Sequence, residues 1–208
     1  MWEYSTIMVM AVPYEATGRT RQKARTRAAL IDAARELLSG GVTPTVEQAA
    51  DAAHVSRTTA YRYFQNQRAL IVATFPEITA DSLVPDGTGE DPAARLEAVV
   101  NALTRQMIEH EPELRAHLRL SLEPATDEPA ELPFRTGRAI VWIEEALAPL
   151  RKRLDDRELR RLILAVRATV GIEALVWLTD IAGLSRDEAA KLMQWSAQAL
   201  LRSALGES

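Results

Sequence analysis

The chain has no cysteine. That excludes a disulfide framework and thiolate metal sites, and makes a reducing cytoplasm the natural setting. Aromatic residues are scarce, at 5%. β-Branched runs with period-two alternation are nearly absent, so no sheet is expected. The longest uninterrupted apolar run, Ile7 to Val12, is far too short to cross a bilayer. Glu3 stands ahead of it, where a secretory signal would carry basic residues. Residues 1–18 therefore read as a flexible leader without structure, or the true start is Met8 or Met10. The chemistry of an enzyme on a helical bundle is also poorly provided for. There are three histidines, no Glu-x-x-His pair and no glycine-rich phosphate loop.

What the chain does have is helix-forming composition. Its 208 residues are 47% hydrophobic, enough for a substantial core, and rich in Ala, Leu, Arg and Glu. The net charge of −4 hides an asymmetry: Arg19 to Arg68 holds nine Lys/Arg against four acids. Beyond Arg68, sixteen basic residues face twenty-three acidic ones. A basic head on an acidic body fits nucleic-acid contact by one part of the chain only.

Within the basic part, Thr45 to Leu70 reads TVEQAADAAHVSRTTAYRYFQNQRAL. Thr45 and Gln48 have capping-box spacing at the start of a helix over about 46–53. Ala49, Ala50, Ala52 and Ala53 leave room for a second helix to approach. His54 and Val55 form the turn, and Ser56 caps a helix over about 57–63. This is a helix-turn-helix whose second helix is suited to enter the major groove N-terminus first.

Around it, helical periodicity predicts a first helix from Thr20 to Leu38, ended by Gly40-Gly41, and a fourth from Gln67 to Ala80 capped by Asn66. Residues 84–91 are a loop, and Asp91-Pro92 opens the next helix. Another is expected over 112–122, with an acidic, proline-rich loop at 123–133. A helix over Phe134 to Leu154 is kinked or ended by Pro149. The last two helices are long: one over 156–182 closed by Gly183, and one opened by the Ser185–Glu188 capping box and running to Ala204. They are apolar enough either to fill an intramolecular core or to pair with a second subunit as a four-helix bundle.

The segment Arg25 to Leu70, with Tyr61-Arg62-Tyr63-Phe64 followed by Asn66-Gln67-Arg68-Ala69-Leu70, resembles the DNA-binding domain of TetR-type bacterial transcriptional regulators. The resemblance implies an all-α protein of about nine helices, with an N-terminal DNA-binding domain and a helical C-terminal domain for ligand binding and dimerisation. The domains are expected as 19–66 and 67–208. It also implies a homodimer through the last two helices that binds a double-stranded operator and is released by a small-molecule effector. Three positions depart from the family pattern: His54 replaces the usual turn glycine, Ala49 a larger apolar residue, and Gln67 a lysine. His54 is accordingly expected in a left-handed conformation.

Residue by residue, Arg57 is placed to read guanine bidentately, with a phosphate or solvent contact as the bland alternative. Thr58 and Thr59 suit thymine methyls or phosphates, with simple capping as the bland alternative. Tyr61 and Tyr63 are phosphate ligands through their hydroxyls, although Tyr63 equally fits packing under the helix. Arg62 faces outward toward base or backbone. Thr45, Ser56, Arg21, Arg25 and Gln67 complete the expected DNA-contacting set. For the effector, Met107, His110, His117, Arg119, Trp142 and Trp177 mix apolar walls with polar groups, although each alone reads more simply as core or surface. His110, Glu113 and His117 share a helical face, but Pro112 interrupts it and no metal or cofactor is expected. Expected partners are thus DNA, an effector and a second copy, with no membrane. The alternatives are a ligand-independent or architectural DNA-binding protein and, less well supported, the helical-bundle enzyme.

Overall fold

The computed structural model describes residues 14–75, 80–123 and 138–206, and every regular element among them is helical. The chain divides into two compact units between Leu70 and Ile71. That division falls within the fourth helix, a few residues beyond the expected boundary.

In the first unit, α1 runs Tyr14–Ser39. It begins ahead of the expected Thr20, so residues 14–18, anticipated as unstructured leader, are helical. Leu30, Ala34 and Leu38 bury its inner stripe. Gly41, at φ 82°, stops it. The Gly41 amide donates to the Leu38 carbonyl at 2.9 Å and the Val42 amide to that of Leu37 at 2.9 Å. This pair of bonds is a Schellman closure, and the left-handed turn suits glycine. The helix-turn-helix follows as α2 (Val46–Ala52) and α3 (Arg57–Tyr61). Ala49, Ala50 and Ala60 are fully buried between them, which lets the short helices pack closely. α4 spans Gln67–Ala73, opened by Asn66 Oδ1 accepting from the Ala69 amide at 2.7 Å. It ends well before the expected Ala80. The Thr74 hydroxyl bonds the Ile71 carbonyl at 2.7 Å, and the residue ahead of Pro76 is disfavoured in helix.

The second unit is a bundle of α5 (Pro92–Glu109), α6 (Glu111–Leu122), α7 (Arg138–Leu147), α8 (Asp156–Thr169), α9 (Ile172–Val176) and α10 (Arg186–Ala204). Asp91 caps α5, its carboxylate accepting from the amides of Ala93 and Ala94 at 3.2 Å. Its core is aliphatic, with Leu96, Val99, Ile143, Leu147, Val166 and Met193 almost entirely covered. At about 25 cal/mol per Å2 of apolar surface removed from water, such burial is the main favourable term. Arg95 fastens α5 to the end of α7, its guanidinium donating to the carbonyls of Glu145 and Ala146 at 3.0 and 3.2 Å.

Two expected helices are interrupted. α7 tightens into a 3₁₀ turn over Ala148–Lys152, at Pro149. The segment expected as one helix over 156–182 breaks at Val170 and Gly171. Gly171 is fully extended (φ −166°, ψ 166°), and the chain resumes as α9 and then a π-helical turn over Trp177–Ile181. A β-carbon on Gly171 would stand 2.1 Å from Nη1 of Arg167. By length and composition Asp156–Ile181 is apolar enough to cross a membrane. Its residues Leu159, Leu162, Ile163, Leu175 and Leu178 instead face the core of the unit. Most of the 123–133 loop, and residues 134–137 of the expected next helix, lie outside the described residues.

Candidate nucleic-acid interface

Thr45 and Gln48 close the anticipated capping box. The Thr45 amide donates to Gln48 Oε1 at 2.8 Å and the Gln48 amide to Thr45 Oγ1 at 3.2 Å. His54 is left-handed, at φ 55°. The Val55 amide beside it bonds the Ala50 carbonyl at 2.9 Å, so the turn is locked back onto α2. Ser56 then caps α3, its Oγ accepting from the Thr59 amide at 3.3 Å while its hydroxyl donates to Thr59 Oγ1 at 2.8 Å.

This local geometry sorts the side chains of α3 and of the residues just after it. Ala60 and Phe64 point inward, and the Arg27 guanidinium lies over the Phe64 ring, 5.5 Å from its centroid. Arg57, Thr58, Tyr61 and Arg62 are exposed on the opposite side, while Thr59 and Tyr63 are half-buried. Arg21, Arg25, Thr45 and Ser56 are exposed as well. Gln67 is already engaged: its side-chain amide donates to the Pro44 carbonyl at 3.0 Å and, more weakly, to that of Thr43 at 3.4 Å. The residue thus ties α4 to the foot of α2.

Two acidic contacts were not anticipated. The Tyr61 hydroxyl donates to Glu47 Oε1, and Arg57 Nη2 lies 3.7 Å from Asp51 Oδ2. The Tyr61 hydroxyl, with help from the backbone, holds the Glu47 carboxyl below its usual range, and the same contact pushes the Tyr61 phenol up. Glu47 and Tyr61 are fourteen positions apart, so no helical periodicity links them.

In the second unit the expected effector residues differ in burial. Met107, His117 and Trp142 are buried, His110 is half-buried, and Arg119 and Trp177 are exposed. His117 is fully covered, its ring edge-on to Phe75 at 5.0 Å. Burial pushes its imidazole down to about 4, against a hydrogen bond with the Ile71 backbone. Glu113, on the same face one turn earlier, is buried, and its Oε2 has no hydrogen-bond partner among the described residues. Among the described residues no cluster of three His, Asp or Glu side chains is arranged to hold a metal ion.

The densest polar network joins α6, the π-helical turn and α10. The buried Glu111 carboxylate accepts from Arg115 Nε at 2.7 Å and from Arg186 Nε at 2.6 Å. Arg115 reaches on to both oxygens of Asp180, at 2.6 and 2.7 Å. Arg115 and Thr179 bring the Asp180 carboxyl down to about 2.

Residues 30–74 match the family described as bacterial regulatory proteins, tetR family. In fold the chain is similar to the crystal structure of a TetR transcriptional regulator from Rhodococcus sp. RHA1, at 20% identity and a TM-score of 0.53, over 86% of this chain and 97% of that one. It is also similar, at 21% identity and a TM-score of 0.43, to a TetR-family transcriptional regulator from Streptomyces coelicolor, over 88% of this chain and 97% of that one. No curated protein matches the chain.

Proposed function

We propose that the chain, whose residues 30–74 match the tetR family of bacterial regulatory proteins, is a DNA-binding transcriptional regulator: a homodimeric repressor, cytoplasmic, released from a palindromic operator by a small-molecule effector. The observation that carries this reading is the sorting of α3. Arg57, Thr58, Tyr61 and Arg62 face solvent from a helix fixed on its other side by Ala60 and Phe64. In that arrangement Arg57 reads a base edge, Tyr61 donates to a phosphate, and Arg21 and Arg25 add charge along the backbone. Two such helices in a dimer read half-sites about 34–36 Å apart, or a multiple of that distance.

The dimer reading rests on what the last helices leave uncovered. Leu164 of α8, Trp177 and Ile181 of the π-helical turn, and Leu192 and Trp195 of α10 are all exposed. Large apolar side chains spread over adjacent helices suit a self-complementary interface. For the effector, buried Met107, His117 and Trp142 supply apolar and polar contacts, and Glu113 adds a chemical preference. A buried carboxylate oxygen without a partner favours a ligand bringing a hydrogen-bond donor or a cation. The effector releases DNA only through differential affinity for a form with mis-spaced recognition helices.

Selection of genomic fragments by the purified protein, beside Arg57→Ala, tests the reading. The expected result is a short inverted repeat, with selectivity relaxed at one base position in the variant by about 1–3 kcal/mol. Unchanged selectivity in Arg57→Ala would remove it as a base reader, and recovery of no motif would remove the operator.

A further inference from the structure

The two recognition-helix side chains with the strongest claim on DNA are both held by carboxylates of α2. Tyr61 donates to Glu47, and Arg57 lies 3.7 Å from Asp51. The two engagements differ in consequence. A guanidinium has five N–H donors, and Arg57 and Asp51 are each about two-thirds exposed, at 67% and 66%, so this loose pair leaves Arg57 able to reach a base. A phenol has one proton to donate. While Glu47 accepts it, Tyr61 has none for a phosphate oxygen. The carboxylate also sits within hydrogen-bond reach of the hydroxyl, where an incoming phosphate would meet like charge.

The capping box of α2 closes between Thr45 and Gln48, and Glu47 adds contacts with its own backbone amide and the Thr45 side chain at that end. We propose that Glu47 masks Tyr61 in the DNA-free protein and acts as a built-in brake on DNA binding. The Tyr61 hydroxyl must exchange its hydrogen bond from the Glu47 carboxylate to a DNA phosphate before the contact forms. Phosphate contacts carry no sequence information, so the brake acts on operator and unrelated DNA alike. This rests on the reading of Tyr61 as a phosphate ligand.

A double-mutant cycle on the full chain tests it, with affinity measured on the selected operator and on a mixed-sequence duplex. Glu47→Ala is expected to tighten both by about 3- to 10-fold. In the Tyr61→Phe background the gain shrinks to what charge removal alone supplies. Glu47→Gln, which keeps an acceptor but drops the charge, falls between wild type and Glu47→Ala. In the free protein, Glu47→Ala should also lower the phenol titration midpoint of Tyr61, a change missing in Tyr61→Phe.

Equal gains in both backgrounds would reduce the effect to long-range charge and overturn the mask. Weaker binding by a folded Glu47→Ala would make Glu47 an orienting residue instead. If Glu47→Ala does not fold, the cycle is run with Glu47→Gln, and absence of any Tyr61-dependent gain there counts against the proposal. DNA binding intact in wild type but indifferent to Glu47 sinks only the brake. Binding of neither duplex by wild type at low salt sinks the DNA-contact reading, and the brake with it.

Discussion

His54 shows how one residue's backbone choice supports the reading helix. The turn between α2 and α3 needs a left-handed residue, and the chain meets that need without glycine, at φ 55°. A left-handed backbone costs an ordinary L-residue about 1–2 kcal/mol, and a β-branched side chain is the worst fit. His54 already carries most of that cost, so His54→Val is expected to destabilise the first unit by the added β-branched penalty, up to about 1 kcal/mol, measured by urea unfolding. No loss of stability would mean the turn relaxes to another conformation. The position of the turn was legible in the sequence because capping residues are local, while the left-handed backbone at His54 was expected from the resemblance to a family whose turn carries glycine. The Tyr61–Glu47 hydrogen bond was not legible, since it depends on how α3 crosses α2.

Among the elements, α6 concentrates the buried polar groups. His117 is fully covered, and its imidazole is brought down to about 4 from an ordinary 6.5. The neutral form is thus favoured in the native state. Above the unfolded-state value both states are neutral and the native fold keeps its full stability. As pH falls from about 6.5 to about 4, the unfolded chain takes up a proton that native His117 refuses, and stability is lost. The loss reaches about 3 kcal/mol at most. Chemical denaturation across that range should show a steeper decline for wild type than for His117→Phe. Parallel profiles would mean that His117 protonates in place.

Glu111 makes a second prediction for the same helix. Removing its carboxylate leaves Arg115 Nε and Arg186 without their shared acceptor. Arg186 is more than half exposed, so Glu111→Ala should cost about 1–2 kcal/mol of unfolding free energy. Lys191→Ala, which breaks a fully solvated pair with Asp187, should change nothing measurable. Equal effects of the two would mean that the buried position of Glu111 confers no advantage. Helix starts were readable here too, at Asp91 and Ser185, because a cap is a pattern of four residues. The break at Gly171 was not. Apolar spacing continues across it, and the position is marked only in three dimensions, where the side-chain ends of Arg167 and Glu173 close over Gly171.

For the whole molecule, the expected assembly turns on the last helices. Trp195 is 63% exposed in the single chain and Ile181 72%. Placing a charge at the centre of an apolar interface carries a desolvation cost that a free surface would not impose. If the proposed dimer forms through these helices, Trp195→Arg is expected to sediment as a folded monomer and wild type as a dimer, with operator affinity lost in the variant because the two recognition helices are no longer linked. A folded, dimeric Trp195→Arg would move the interface elsewhere.

The sequence by itself determined the helical class, the basic head on an acidic body, and the helix-turn-helix with its caps. Each is written in composition or in patterns a few residues long, where propensity and capping act without distant partners. Tertiary structure alone decided which exposed groups of α3 are engaged by α2. It also decided that Gln67 ties α4 to the foot of α2, that one apolar helix becomes α8, α9 and a π-helical turn, and that Glu111 gathers two arginines. Those outcomes join residues far apart in the chain, and only the packing of one helix against another brings their atoms within bonding distance.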